Sequence, residues 1–283
     1  MIIDSHVHIS TPDAITHLDK LNFPAYQYAS DYTAEECIMD QKKCGIRYSV
    51  VFPFPFPELD INGENDYVIK KAREHNSLIP IILPFKDLER NEVFSRYVAG
   101  FKEHFLLIKD KKLKERFPLY EIIQNKHLPI IIHPRSSSQI EDIHLISQNF
   151  PHLQIIFAHS GRRRIHTANG VLETALFFQK NDNVFFDTST IRDVNGLTAL
   201  YRTVGKNRLL FGSDSPFFRN NDVLKNELNA VIQMKICTPD KDNILYGNAY
   251  NLLVGPFISK PRLITRQLPY SNINRYFSQN ELE

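Results

Sequence analysis

Short, continuous apolar runs alternate with longer segments of helical period from one end of the chain to the other. The runs at 2–8, 47–52, 78–83, 99–105, 129–133, 153–159, 183–188 and 208–213 read as eight strands. Ile130-Ile131-Ile132, Gln154-Ile155-Ile156-Phe157 and Val184-Phe185-Phe186 are apolar without alternation. Strands covered on both faces carry this pattern, so a parallel sheet flanked by helices is expected. Helical periodicity follows at 33–44, 65–75, 92–98, 119–126, 140–149, 172–179, 194–204 and 221–236. Thr33 with Glu36 three residues on predicts an N-cap, and Gly45 predicts that helix's end. Eight β-then-α units predict an α/β protein, a (β/α)8 TIM barrel over about residues 1–253 with an extended C-terminal arm over 254–283, all one domain. A doubly wound open sheet is the alternative; it usually opens on a glycine-rich turn, which is missing here.

Composition narrows the chemistry. The 283 residues suit a single barrel, and 42% hydrophobic with 23% charged residues suits an ordinary globular core. Lys and Arg number 34 against 32 Asp and Glu, a net charge of +2, which argues against a general nucleic-acid binder. There are 10 Gly against 16 Pro, and neither G-x-G-x-x-G nor G-x-x-x-x-G-K occurs, so phosphate-loop chemistry is not expected. Cys37, Cys44 and Cys237 are too few and scattered for a disulfide framework or a thiolate zinc site. The first residues lack the basic and apolar regions of a signal peptide, and no run approaches the length of a membrane span. A cytoplasmic protein acting on a small molecule, without nucleic acid or membrane as partner, is the expectation; a homo-oligomer is compatible with it.

Polar residues cluster where the strands end. His6 and His8 are two apart at the end of the first predicted strand, so their imidazoles leave the same side. His133 ends the fifth, His159 ends the sixth, and Asp214 follows the eighth. Active sites in this fold sit at the C-terminal ends of the strands. Four imidazoles and one carboxylate aimed at one point suit Zn²⁺, with Fe²⁺ or Mn²⁺ as alternatives. The run Phe52-Pro53-Phe54-Pro55-Phe56-Pro57 after the second strand predicts a stiff extended loop, from which Phe54 or Phe56 could line an apolar substrate pocket. The charge run 109–116 reads as a solvated face or loop.

The segments that carry these residues resemble the amidohydrolase superfamily in order and kind. They are Ile3-Asp4-Ser5-His6-Val7-His8, Gly100-Phe101-Lys102-Glu103-His104, Leu128-Pro129-Ile130-Ile131-Ile132-His133, Ile156-Phe157-Ala158-His159-Ser160-Gly161, Asn183-Val184-Phe185-Phe186-Asp187-Thr188-Ser189 and Leu210-Phe211-Gly212-Ser213-Asp214-Ser215-Pro216-Phe217. The likeness is greatest to the amidohydrolase-2 branch, which includes the aminocarboxymuconate-semialdehyde decarboxylase type, and Ile244-Leu245-Tyr246-Gly247-Asn248-Ala249 resembles its closing motif. The resemblance implies that His6, His8, His133 and Asp214 bind one divalent metal and that His159 orients the metal's water or trades protons with it. Asp214 could do both. Some superfamily branches carry a carboxylated lysine bridging two metals at the fourth strand; one metal is expected here, with Lys102 a charge partner or substrate contact. Lys102 could instead pair with Glu103 or Asp187, and His104 stays unassigned. Arg135 and Arg162-Arg163-Arg164 follow His133 and His159; an arginine at this mouth suits an anionic group, and Arg135 is the stronger candidate. Four glycines, Gly100, Gly161, Gly212 and Gly247, fall inside the quoted segments. The expected activity is metal-dependent hydrolysis of a C–N or C–O bond in a small anionic amide, cyclic amide or lactone. Non-oxidative decarboxylation of an unsaturated or aromatic acid is the alternative, and an inactive binding barrel is a third reading.

Overall fold

The computed structural model describes residues 1–14, 32–108, 112–161, 168–217 and 222–260. Eight parallel strands are hydrogen-bonded in sequence order: β1 Ile3–His8, β2 Tyr48–Phe52, β3 Leu78–Ile82, β4 Gly100–His104, β5 Ile130–His133, β6 Ile155–Phe157, β7 Val184–Asp187 and β8 Leu209–Leu210. The chain after β8 closes the ring. Ser5 N–H donates to the Phe211 carbonyl (2.9 Å), Asp214 N–H to that of His6 (2.9 Å) and His8 N–H to that of Ser215 (2.8 Å). A helix follows each strand: α1 Ala34–Cys44, α2 Ile61–Glu74, α3 Leu88–Phe94, α4 Phe117–Asn125, α5 Ser137–Asn149, α6 Ala168–Phe177, α7 Val194–Val204 and α8 Val223–Ile232. This is the (β/α)8 barrel that the periodicity predicts. Thr33 caps α1 through the Glu36 N–H, and Gly45 ends it in the left-handed region at φ 69°. Among the described residues no helix is long and apolar enough to cross a membrane.

Two apolar layers follow from the period-2 geometry of the strands. Ile130, Ile132, Ile155, Phe157, Phe186 and Leu209 face outward onto the helices. Ile3, Val50, Ile79, Ile81, Ile131, Ile156 and Leu210 fill the barrel, where Ala249, Leu252, Leu253 and Val254 join them. Leu252, Leu253 and Val254 come from the helical turn Tyr250–Val254 and Ala249 from just before it, in a stretch for which the sequence reading assigned no helix. Asn248 ties it to the sheet, donating to the carbonyls of Lys206 and Leu209 at 2.7 Å each. Gly255–Ile258 continue as a helical turn where an extended arm is expected. Residues 261–283, the rest of that arm, lie outside the described residues.

In the charge run after β4, Lys112, Lys114 and Glu115 are exposed as expected, and Arg116 departs from expectation. Arg116 is buried, and its guanidinium meets the buried Glu103 carboxylate. Tyr120 hydroxyl donates to the same carboxylate at 2.7 Å. Glu103 lies on the outer face of β4 under the helices, and a carboxylate removed from water there needs such partners.

Candidate metal centre

Strand parity places the polar residues. With Ile131 inside the barrel, His133 two residues on is inside as well; Gly100, Lys102 and His104 share one face of β4, and Asp187 and Ser189 share one face at the end of β7. β1 needs a correction to do the same. Ile3 is inside, so strict alternation would turn Ser5 and Val7 inward. Instead Asp4 pairs with Ser49 and Val7 with Val51, three residues of β1 advancing against two of β2. This bulge shifts the parity by one and brings His6 and His8 to the inner face. Gly212 lets the next segment lie against them, since a Cβ there would stand 2.9 Å from His6 Cβ.

His6, His8 and Asp214 converge. Asp214 Oδ1 lies 3.3 Å from His6 Nε2 and 3.5 Å from His8 Nε2. Each of the three offers an atom within 4.8 Å of the others, and all three residues are buried. The opposite ring nitrogens are already engaged. His6 Nδ1–H donates to Asp187 Oδ2 at 2.6 Å, and His8 Nδ1–H donates to the Pro53 carbonyl at 3.1 Å. Both acceptors can only accept, so each Nε2 keeps its lone pair; that of His8 faces Asp214, and that of His6 faces both Asp214 and the Lys102 amine, 2.8 Å away. Burial drives His8 down to about 3, against the pull of Asp214. Asp214 stays well below the usual carboxylate range: burial opposes this, but the surrounding imidazoles outweigh it. Asp214 Oδ1 is buried without a hydrogen-bond partner. A neutral imidazole, an ionised carboxylate and an orphaned oxygen aimed at two lone pairs fit a divalent cation.

His159 stands beside this trio, its ring centroid 4.9 Å from that of His6 and 4.5 Å from that of His133. It begins a strained turn: His159, Ser160 and Gly161 have φ of 53°, 51° and 70°. Four of the six non-glycine residues with positive φ among the described ones are His159, Ser160, Thr190 and Asp214, all just beyond β6, β7 and β8. Such conformations persist only where neighbours over-determine them. Here Asp187 does so: its Oδ1 accepts from His159 N–H at 2.8 Å and its main-chain carbonyl from Ser160 Oγ at 2.5 Å. Burial pushes His159 down to about 4, so the ring is neutral at neutral pH.

The remaining expected residues fall as follows. Lys102 is wholly buried, with Nζ 2.8 Å from His6 Nε2 and 4.0 Å from the Phe52 ring centre. Burial lowers its amine to about 7 despite the charges of Asp214 and Asp187. Its predicted alternative partner, Glu103, turns to Arg116 on the other face of β4. His133 faces His104, its register partner on β4, with ring centroids 4.3 Å apart. Burial, then Lys102 and Arg135, hold the His104 imidazole well below its usual value. Arg135 itself is exposed, and its N–H donates to Gln139 Oε1 at 2.6 Å. Phe54 is wholly buried, stacked on His8 at 5.1 Å between centroids and on Phe56 at 5.7 Å. Both contacts are near-parallel, with interplanar angles of 13° and 6°. Arg162, Arg163 and Arg164 lie outside the described residues. Sequence reasoning missed Asp187 and Ser189 as site residues, although both stand in a quoted segment two apart at a strand end, the spacing that singled out His6 and His8.

Comparison with known proteins agrees with this geometry. A family model described as amidohydrolase matches residues 3–254. No curated protein sequence matches the chain. Among solved structures, the chain resembles a protein assigned as a 2-pyrone-4,6-dicarboxylic acid hydrolase from Pseudomonas putida: TM-score 0.68, 18% identity, 89% of this chain and 96% of that one. It also resembles 5-carboxyvanillate decarboxylase from Sphingomonas paucimobilis: TM-score 0.65, 13% identity, 89% of this chain and 98% of that one. A third is dihydroxybenzoic acid decarboxylase from Polaromonas sp., solved with bound manganese: TM-score 0.62, 16% identity, 89% and 96% covered. At these identities the likeness is one of fold. The family match runs from the strand that carries His6 and His8 to the helical turns that fill the barrel, and the chain belongs to the amidohydrolase family.

Proposed function

We propose that the protein is a metal-dependent hydrolase that cleaves a C–N or C–O bond in a small anionic amide, cyclic amide or lactone. The observation that carries this reading is the buried, unpartnered Asp214 Oδ1 set between the Nε2 atoms of His6 and His8. His6, His8 and Asp214 hold the ion, with His133 as the fourth ligand. Zn²⁺ suits imidazole and carboxylate donors best; Fe²⁺ and Mn²⁺ suit them too. Such an ion, when bound, acidifies water to a pKa near 7 and polarises a carbonyl oxygen.

The chain's own residues supply the rest. His159, neutral and buried beside His6, takes a proton on Nε2 and returns it to the leaving group. Asp214, ionised, is a second acceptor. Lys102 and Arg135 offer positive charge on the β4–β5 side of the mouth, where a substrate carboxylate would bind. Phe52 and Phe54 keep water from the far side of His8. The unpaired cysteines Cys37, Cys44 and Cys237 suit the cytoplasm.

Decarboxylation of an unsaturated or aromatic acid is the second reading. The same Lys102–Arg135 wall favours it, and the decarboxylases named above share the fold. A panel of lactones, cyclic amides and aromatic acids, assayed in parallel for hydrolysis product and for CO₂, separates the two. Hydrolysis without CO₂ is expected. CO₂ released in step with acid consumption would replace the first reading by the second.

A further inference from the structure

We propose that Asp187 and Ser189 form a relay that fixes the ring tautomer of His159, holding its proton on Nδ1 and presenting the Nε2 lone pair to the mouth. The reasoning is an account of donors and acceptors. Asp187 Oδ2 takes the His6 Nδ1–H at 2.6 Å. Asp187 Oδ1 takes three donors: the N–H groups of His159 (2.8 Å) and Ser189 (3.1 Å) and the Ser189 hydroxyl (2.5 Å). At 2.5 Å the serine proton must lie between Oγ and the carboxylate, because two bare oxygens would repel. Ser189 Oγ, its only proton so committed, can only accept from His159 Nδ1, 2.8 Å away. His159 therefore carries its proton there.

One buried carboxylate thus sets two tautomers, that of a metal ligand directly and that of a proton acceptor through a serine. His6, His159 and Asp187 also have the spacing of an ion site. The same account assigns them to the relay, because both Asp187 oxygens already accept and the Nδ1 atoms of both rings already donate. Asp187 and Ser189 are positioning residues: they act through the two histidines. The functional weight of the relay rests on the reading of His159 as proton acceptor, but the tautomer is measurable without it.

Nitrogen-15 NMR on the full-length, zinc-loaded protein labelled at histidine is the test. In the wild type, His159 should show a protonated Nδ1 and an unprotonated Nε2. Ser189→Ala should mix the tautomers, drawing the two nitrogen shifts together, with zinc content and melting temperature kept. Ser189→Thr, which retains the hydroxyl, should restore the wild-type pattern. A wild-type His159 protonated on Nε2, or ring shifts unmoved in a folded Ser189→Ala protein, would overturn the proposal. A tautomer as described together with unchanged turnover in His159→Asn would leave the relay standing and remove His159 from the proton step.

Discussion

Asp4→Asn should stabilise the protein increasingly as pH rises from 4 to 8. Asp4 is buried one turn of the strand behind His6 and ties β1 to the segment that carries Asp214. Its Oδ1 accepts from the main-chain N–H of Ser213 at 2.9 Å and of His6 at 3.2 Å. Burial outweighs these bonds and raises its carboxyl from 3.8 to about 7. The folded state therefore keeps the Asp4 proton through a pH range in which the unfolded chain has lost it. Stability falls as pH rises wherever the folded state binds more protons, so the loss begins near 3.8 and is complete above about 7. A shift of about three pKa units, at roughly 1.4 kcal/mol each, gives a cost on the order of 4 kcal/mol at pH 8. Asparagine accepts the same two bonds and has no proton to lose. Denaturant unfolding of both proteins at several pH values, after chelator treatment to remove metal linkage, measures the difference directly. It should be near zero at pH 4 and grow in favour of Asp4→Asn toward pH 8. A flat difference, or one growing in favour of the wild type, would mean that the two N–H donors hold Asp4 ionised.

Two further substitutions probe the packing behind the ligands. Gly212→Ala sets a methyl group 2.9 Å from His6 Cβ and 3.3 Å from Ser5 Oγ, and overpacking of this kind costs about 1–3 kcal/mol. Unfolding should show that loss and a competition assay with a chromophoric chelator should show weaker zinc binding; an unchanged zinc affinity would mean that His6 is not held by this contact. Phe54→Leu removes the ring stacked on His8 while keeping most of the buried volume. Zinc affinity should fall by about ten-fold, in line with other groups that orient a ligand from behind, whereas an effect confined to substrate KM would return Phe54 to the substrate wall.

The strands were legible because a barrel strand is buried on both faces and leaves a continuous apolar run. The ends were legible because His6, His8, His133, His159 and Asp214 interrupt those runs at one end. What the pattern could not carry was parity. The bulge that turns His6 and His8 inward sits in Asp4-Ser5-His6-Val7, where nothing in the residue types marks an extra residue. Asp187 was named only as a possible partner of Lys102 and Ser189 was given no role, because a carboxylate that orients a ligand and one that ties a loop look alike until their partners are known. Arg116 misled for the opposite reason: within a run of surface charges, its buried partner Glu103 lies thirteen residues away across a turn. That Phe54 stacks on His8 was not legible either, because the contact joins residues forty-six apart in the chain.

The central claim is that His6, His8 and Asp214 gather one divalent ion at the mouth of the barrel. Its most direct test is elemental analysis by plasma mass spectrometry of protein purified without chelator, wild type beside the His6→Ala, His8→Ala double variant, with circular dichroism to establish that both are folded. The account predicts about one ion of zinc, iron or manganese per chain in the wild type, as expected for a site with one set of ligands, and none in the double variant. A folded double variant that retains its full metal content would contradict it.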